Sequence, residues 1–239
     1  ASYYAYNSVY KKIKEWLYPR LKAISVPTTM DTQIYREKGY NAYYIPHMTT
    51  FDKIVDNSLR SHRVINVGRL TKDKQQIMLL DIWKEFNKKF PQNEYLLQII
   101  GSGEEKENII NYIEENKIKN VELIPHTSKI EEYYREAELF VFTSKMEGFG
   151  MVLLEAMSYG IPCISFDCPS GPRDIINNEV NGFLVPCYDK SKFSNYIYKY
   201  VTSNQSIKEN FSRGAKETII QWDNNEIINK WVDVFRKIG

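Results

Sequence analysis

The feature that most constrains the fold of this chain is an alternation of short apolar runs with longer amphipathic segments, which begins near residue 63. The runs are rich in β-branched residues and most are too short for helices, so they predict buried strands. They lie at residues 64–68, 95–100, 121–124, 139–142, 162–166 and 182–185. The segments between them have helical spacing at residues 74–89, 104–116, 130–136 and 150–158. This alternation predicts right-handed crossovers and a parallel sheet covered by helices on both faces.

The predicted fold class is therefore α/β, with a doubly wound, Rossmann-like parallel sheet formed by residues 61–222. Residues 1–60 are different, because they hold only a basic amphipathic helix, two strand-like runs and a short helix. These elements are too few to close an independent α/β domain, so we expect the end of another domain and a linker there.

Residues 223–239 predict a final helix that Asp223 can cap. Its apolar face needs a packing partner. That face consists of Ile227, Ile228, Trp231, Val234 and Phe235.

Composition excludes several classes of protein. A net charge of +2 in 239 residues is too weak to indicate a nucleic-acid partner. No apolar run reaches the roughly 18 residues that a membrane-spanning helix needs. The three cysteines show no CxxC spacing, which favours buried free thiols and a cytoplasmic location.

The sequence holds no recognisable metal-binding motif. The histidines at positions 47, 62 and 126 match no zinc spacing, and no two aspartates stand at i and i+2. We therefore expect no metal site and no cofactor.

Ligands of open parallel sheets bind beyond the carboxyl ends of the strands. Four stretches follow predicted strands and should lie along that one edge. They are residues 68–74, 101–103, 125–126 and 144–150.

The first of these stretches, Gly68-Arg-Leu-Thr-Lys-Asp-Lys74, combines a glycine with cations. Gly68 lets the backbone approach a ligand, Arg69 offers a planar fork for phosphate, and Lys74 adds a point charge. A solvated loop with ordinary surface charge is the alternative.

The second stretch, Gly101-Ser-Gly103, resembles part of a dinucleotide fingerprint, but Lys106 stands where the third glycine would be. We therefore favour a tight turn between a strand and a helix as the interpretation of this stretch. It is the one feature that supports the alternative of an NAD-dependent oxidoreductase.

The stretch at residues 147–155, Glu-Gly-Phe-Gly-Met-Val-Leu-Leu-Glu, places one acid before a glycine-rich turn and another inside an apolar helix. The first amides of that helix should be free to meet an anion or a sugar oxygen. Glu147 should stand at the rim of the cleft. Glu155 should be buried and in need of partners, either the two hydroxyls of a ribose or an internal Arg or Lys.

Residues 147–162 as a whole resemble the E-x7-E signature of retaining glycosyltransferases with the GT-B fold, especially family 4, the glycosyl transferases group 1. Val67-Gly-Arg-Leu with Lys74 resembles the basic diphosphate motif of that family, which lies after the first strand of its C-terminal domain. Gly101-Ser-Gly103 and Asn181-Gly-Phe-Leu-Val-Pro186 follow in the order of the family.

The resemblance implies roles for individual residues. Arg69 and Lys74 would neutralise the leaving diphosphate, Glu155 would hold the ribose, and Glu147 would face the donor sugar, which makes Arg69, Lys74 and Glu147 the catalytic candidates. The implied donor-binding set is Gly68, Arg69, Lys74, Glu147, Gly148, Phe149, Gly150, Met151 and Glu155. The base would lie against the chain near Ile124, His126 and Ile130.

The implied function is transfer of a sugar from a nucleotide-sugar, with retention and without metal, to a glycan or lipid-linked acceptor in surface polysaccharide or glycoconjugate synthesis. Residues 168–175, Cys-Pro-Ser-Gly-Pro-Arg-Asp-Ile, resemble segments of enzymes that use UDP-hexoses, which favours UDP. A non-catalytic sugar-nucleotide binding module and a GT-B epimerase are further alternatives.

The chain differs from the family in its N-terminal part, where most of the acceptor-binding domain has no counterpart. We therefore expect a donor-binding fragment that is inactive in transfer by itself and whose final helix belongs against the acceptor domain. The basic helix near residues 9–21 either contacts anionic lipid at the inner face of a membrane or has a solvated polar face. The oligomeric state stays open.

Overall fold

A computed structural model describes residues 8–49, 55 and 59–239, so parts of the predicted N-terminal segment (1–7, 50–54 and 56–58) lie outside the described residues. The strands are β1 Ile24–Val26, β2 Ala42–Tyr44, β3 Arg63–Val67, β4 Leu96–Ile100, β5 Val121–Ile124, β6 Leu139–Phe142, β7 Cys163–Phe166 and β8 Gly182–Val185. The helices are α1 Ser8–Leu17, α2 Thr29–Glu37, α3 Gln76–Lys89, α4 Lys106–Glu115, α5 Ile130–Glu136, α6 Met151–Ser158, α7 Pro172–Ile175, α8 Lys190–Val201, α9 Gln205–Gln221 and α10 Asn224–Ile238. No described helix combines the length and apolarity needed to cross a membrane.

Six of the strands form one parallel sheet in the order β5-β4-β3-β6-β7-β8. The chain runs outward from β3 through β4 to β5 and then returns to place β6 on the other side of β3. The predicted doubly wound parallel sheet is confirmed. Because every pairing is parallel, the carboxyl ends of all six strands meet at one edge, and the order reverses between β3 and β6.

Both faces of the sheet are covered, which explains why its strands read as continuous apolar runs. Successive strand residues point to opposite faces. Val64 of β3 therefore joins the core under α3 and α8, while its neighbour Ile65 joins the core under α6 and α9. The helices contribute Trp83 to the first core and Met157 to the second.

The predicted start of α3 is wrong by two residues. Gln75 has a left-handed backbone with φ of 55°, which ends a 3₁₀ turn at Lys72–Lys74 before the helix begins at Gln76. Lys74 therefore sits in the turn and not in the helix. The short helix α7 was also not predicted, although Gly171 and Pro172 mark its start.

The N-terminal segment forms a small parallel pair, β1 with β2, and α2 packs against that pair. The predicted cap of α10 is confirmed, because the Asp223 carboxylate accepts from the Asn225 amide at 2.8 Å. Only Ile227 and Val234 of the predicted apolar face are buried, against Ile45. The N-terminal segment covers only one narrow strip along the surface of α10, so Ile228 and Phe235 stay exposed.

Candidate functional site

At the carboxyl edge of the sheet, the loops after three neighbouring strands are hydrogen-bonded to the strand ends and loops beside them. The Gly68 amide donates to the Ile100 carbonyl at 3.0 Å, and the Gly101 amide donates to the Ile124 carbonyl at 2.9 Å. The Lys145 amide, after β6, donates to the Asp73 carbonyl at 2.8 Å. The structure thus brings all the predicted stretches together along this edge.

A cavity of about 540 Å³ opens at this edge beyond β3, β4 and β5, and we call it the β3–β5 cleft. Five predicted site residues line it, namely Gly68, Arg69, His126, Ile130 and Glu155. Ser102 and Thr127 also line it and were not assigned a role from the sequence. Ile124 does not line it, because its side chain is buried at the end of β5.

The glycines at this edge differ in how much space surrounds them and therefore in whether packing requires a glycine. A Cβ on Gly101 would lie 1.9 Å from the Gly68 carbonyl oxygen, and a Cβ on Gly103 would lie 2.2 Å from the Leu70 carbonyl oxygen. Gly101-Ser-Gly103 is therefore a tight backbone contact between two loops. A Cβ on Gly68 would meet only the Lys74 Cε, at 4.0 Å, so packing alone does not require glycine there.

Glu155 projects from α6 into the β3–β5 cleft. The Tyr134 hydroxyl of α5 donates to the Glu155 Oε2 at 3.0 Å. The hydrogen-bond partner of Glu155 within the protein is therefore a tyrosine, and not the Arg or Lys expected from the sequence as one alternative. Burial raises the pKa of the Glu155 carboxyl above its ordinary value, and the hydrogen bond from Tyr134 opposes that rise. The residue is a carboxylate held in place by one hydrogen bond, with acceptor positions to spare.

Replacement of Glu155 by Gln should make the ligand-free protein more stable at neutral pH. Because the folded protein raises the pKa of this carboxyl, the fold binds its proton more tightly than the unfolded chain does. Burial of the ionised carboxylate therefore lowers the free energy of unfolding at any pH above the raised pKa. This loss of stability disappears as the pH falls from the raised pKa to the ordinary pKa of the group. Denaturant unfolding of E155Q and the parent chain between pH 4 and 8 measures this difference.

The gain in E155Q should therefore shrink as the pH falls. Glu114→Gln, an exposed site on α4, serves as the control and should show no such trend. A parent chain that is more stable than E155Q at pH 7 would contradict the prediction.

Lys74 and Glu147 are paired with each other. The Lys74 Nζ donates to the Glu147 Oε1 at 2.5 Å, and both side chains are largely buried. The ammonium also lies 5.3 Å from the centroid of the Phe142 ring. The structure thus holds one internally neutralised pair where the sequence indicated two independent groups.

Arg69 supplies the uncompensated positive charge of the cleft. Its side chain is exposed, and no described carboxylate lies within ion-pair distance of it. Its carbonyl accepts from Gln76 Nε2 at 2.9 Å, which ties the loop to the first turn of α3.

The turn from Glu147 to Gly150 is supported by the loop after β7, which the sequence did not indicate. The Glu147 amide donates to the Pro169 carbonyl at 2.9 Å. A Cβ on Gly171 would lie 1.9 Å from the Phe149 carbonyl oxygen, so the two loops touch backbone to backbone. Gly150 takes a φ of 97°, and α6 begins directly after it at Met151.

The amides of residues 148–151 make no hydrogen bond to another backbone group in the described part of the chain. They lie in the turn before α6 and at its first residue, beside the positive partial charge of the helix N-terminus. A free cation, a held carboxylate and a row of open amides at one sheet edge suit a ligand with a diphosphate and vicinal hydroxyls.

The doubly wound fold of this domain matches solved structures of glycosyltransferases of the GT-B fold. The family model described as Glycosyl transferases group 1 matches residues 49–218, and the chain belongs to that family. Family membership does not favour the oxidoreductase alternative.

Curated relatives and solved structures agree with this assignment. The chain is 31% identical over 242 residues to the amylovoran biosynthesis glycosyltransferase AmsD of Erwinia amylovora. That alignment covers 96% of this chain and 66% of AmsD. Its fold matches a mutant of S. aureus TarM, solved in complex with Fondaparinux, alpha-GlcNAc-glycerol and UDP, with a TM-score of 0.87 at 24% identity. That match covers 97% of this chain and 47% of TarM.

The fold also matches the pneumococcal O-GlcNAc transferase GtfA, solved with UDP and GlcNAc, with a TM-score of 0.83 at 23% identity. That match covers 99% of this chain and 50% of GtfA. The chain therefore spans less than two thirds of the length of each of these three proteins.

Proposed function

We propose that this protein transfers a hexose from a UDP-hexose to a glycan or lipid-linked acceptor in polysaccharide or glycoconjugate synthesis, with retention of anomeric configuration. The observation that carries the proposal is the β3–β5 cleft, which holds the Arg69 cation and the Glu155 carboxylate in one cavity of about 540 Å³. Those two charges match the two ends of a nucleoside diphosphate.

Glu155 is suited to hold a ribose. An ionised carboxylate has about four acceptor positions, and the Tyr134 hydroxyl uses one of them. The other positions accept from the two adjacent ribose hydroxyls, while the base lies toward His126 and Ile130. Desolvation of the carboxylate makes both hydrogen bonds stronger than they would be in water.

The leaving diphosphate is stabilised by charge and by backbone amides. Arg69 and Lys74 face its oxygens, and the open amides at residues 148–151 point toward its β-phosphate and the sugar hydroxyls. On ligand binding, Lys74 shares its charge between Glu147 and the phosphate, and Glu147 is left to orient the donor sugar.

Transfer exchanges one bond for another at the anomeric carbon. An acceptor hydroxyl attacks on the face from which the diphosphate departs, and its oxygen forms the new glycosidic bond. The bond from the anomeric carbon to the diphosphate oxygen breaks with its electron pair, and the diphosphate takes the proton of the acceptor hydroxyl. Protein cations supply the charge stabilisation, so we expect activity to persist when metal ions are chelated with EDTA.

The nucleotide and the type of product are inferred from several sources. The names of the TarM and GtfA structures include UDP, and the AmsD name places that relative in polysaccharide biosynthesis. The resemblance of residues 168–175 to UDP-hexose enzymes supports the same nucleotide.

We assign residues 61–222 to the donor domain, and residues 1–60 and 223–239 to the part that meets the acceptor domain. Contacts between the two outer segments support this division. Thr49 and Asn224 exchange two hydrogen bonds of 2.9 and 3.0 Å, and Lys22 Nζ donates to the Ile238 carbonyl at 3.0 Å.

Thermal melts with UDP, GDP, ADP and NAD test the proposal. A ligand at 100 times its Kd should add about 2.7 kcal/mol to the free energy of unfolding. We expect UDP to stabilise the chain, Glu155→Ala to abolish that effect, and the exposed control Glu114→Ala to retain it. Stabilisation by NAD alone, or by no nucleotide, would refute the donor site.

Two glycine variants separate binding from packing. Gly68→Ala should leave the melting temperature nearly unchanged but weaken UDP binding by about tenfold, because its methyl group takes space that the phosphate needs. Gly101→Ala should lower the melting temperature by at least about 2–4 °C, because its Cβ overlaps the Gly68 carbonyl. Equal loss of stability in both variants would contradict the prediction; the readouts are melting curves and titration calorimetry with UDP.

A further inference from the structure

A second cavity, of about 750 Å³, lies at the same sheet edge beyond β6, β7 and β8. It is larger than the β3–β5 cleft and shares no lining residue with it. We call it the β6–β8 cavity. Its lining includes Lys145, Met146, Pro169, Leu184, Tyr188 and Lys192.

The charge of the β6–β8 cavity is positive. Its acid, Asp167, is neutralised by Arg173, whose Nε and Nη2 donate to the two carboxylate oxygens at 3.0 and 2.9 Å. No described carboxylate lies within ion-pair distance of Lys145 or Lys192. The cavity therefore presents two lysine charges that no described carboxylate compensates.

The aromatic residue that lines the cavity, Tyr188, has an uncommon backbone conformation. Tyr188 has a φ of 69°, which a bulky residue seldom adopts without a structural or functional reason. Its side chain is 50% exposed, with its ring centroid 6.3 Å from that of Phe166. An exposed ring that lines a cavity offers an apolar face on which a sugar or polyol can pack.

The β6–β8 cavity adjoins the catalytic turn. Pro169 lines the cavity, and its carbonyl accepts from the Glu147 amide at 2.9 Å. Met146, which also lines it, directly precedes Glu147. A chain bound in the cavity would thus end beside the residue that faces the donor sugar.

We propose that the β6–β8 cavity is an acceptor subsite for an anionic glycan, with a phosphate or carboxylate bound by Lys145 and Lys192 and a neighbouring sugar or polyol packed on Tyr188. The assignment as an acceptor subsite rests on the proposed transferase function. The anion binding itself follows from the charge and lining of the cavity.

Titration calorimetry at low ionic strength tests the subsite with three probes of equal length: a glycerol-phosphate oligomer, an oligogalacturonate and a neutral maltooligosaccharide. We expect one or both anionic probes to bind and the neutral probe not to bind. The oligomer that binds identifies phosphate or carboxylate as the recognised group. Binding of the neutral probe as tightly as the anionic ones would overturn the proposal.

Charge reversal then locates the binding. The double variant Lys145→Glu/Lys192→Glu should weaken anionic binding by at least about tenfold, since a charge-assisted hydrogen bond contributes that much or more. The control Lys88→Glu/Lys230→Glu makes the same change in net charge on exposed lysines outside the cavity and should alter the Kd by no more than about twofold. Tyr188→Gly, which suits the φ of 69°, should weaken binding without loss of the fold.

UDP titration of the same samples keeps the two proposals apart. UDP should bind the cavity variants as it binds the parent chain and should not compete with the anionic probe. Competition with UDP, or anionic binding that survives the Lys145→Glu/Lys192→Glu change, would overturn the subsite. Lysine-dependent probe binding in a chain that fails to bind UDP would support the anionic site and refute the donor site.

Discussion

Replacement of Arg69 by Ala is expected to lower the rate of sugar transfer by about 10²–10³-fold, the usual effect of removing one donor that stabilises developing charge. Arg69 lines the β3–β5 cleft, whereas Lys74 does not. Lys74 is already paired with Glu147 at 2.5 Å, whereas no described carboxylate neutralises Arg69. The measurement is release of nucleoside diphosphate at saturating donor, in protein that carries the acceptor-binding part.

The position and shape of the charge can be checked separately. Arg69→Lys should retain part of the activity, because an ammonium keeps the charge but loses the bidentate fork. Arg213→Ala removes an exposed arginine that donates to Asn210 on the same helix and should leave the rate unchanged. Transfer at the parental rate by Arg69→Ala would remove Arg69 from the catalytic set.

Replacement of Lys208 by Met is expected to destabilise the fold by about 3–5 kcal/mol, the cost of leaving a buried carboxylate without its partner. Lys208 of α9 donates to the Glu138 Oε1 at 2.6 Å and to the Tyr95 hydroxyl at 3.0 Å, at the edge of the sheet opposite the site. The Glu138 side chain is 0% exposed. Burial and the nearby Glu138 charge raise the pKa of Tyr95, so Tyr95 stays a neutral donor to that carboxylate.

Denaturant unfolding of Lys208→Met and of a matched variant measures this cost. Lys199→Met also removes one partner of an ion pair, with Glu179 at 2.7 Å, but those side chains are 55% and 59% exposed. It should cost no more than about 1 kcal/mol. Addition of Glu138→Gln to Lys208→Met should restore part of the stability, and equal effects of Lys208→Met and Lys199→Met would show that the buried cluster is not a special anchor.

The strands and most helices of residues 61–222 could be predicted because their signals are local. The predicted bounds of β5, β6 and β8 match the structure at both ends, since the flanking glycines, asparagines and charges punctuate each apolar run. The start of α3 could not be predicted, because the left-handed backbone at Gln75 depends on how the loop meets its neighbours. How much of α10 is buried could not be predicted, since the sequence shows an apolar face but not how much of it is covered.

The candidate site was predicted as a set of residues but not as a set of contacts. The rule that ligands meet the carboxyl ends of parallel strands was enough to place Gly68, Arg69 and His126 near one another. The pairing of Lys74 with Glu147 joins residues 73 positions apart, and the support of Glu155 by Tyr134 joins residues 21 positions apart. Neither pairing leaves a periodic or local signature in the chain.

The sequence by itself determined the α/β class, the parallel sheet and the edge at which the candidate site lies, because hydrophobic periodicity and turn residues act over a few neighbouring positions. Only the tertiary structure decided which charges are free and which are compensated. Arg69 is unpaired among the described carboxylates, Lys74 is paired, and Lys145 and Lys192 share a cavity that no motif indicated. Charge compensation depends on distances between side chains from different strands and helices, and the packing of the sheet and its helices sets those distances.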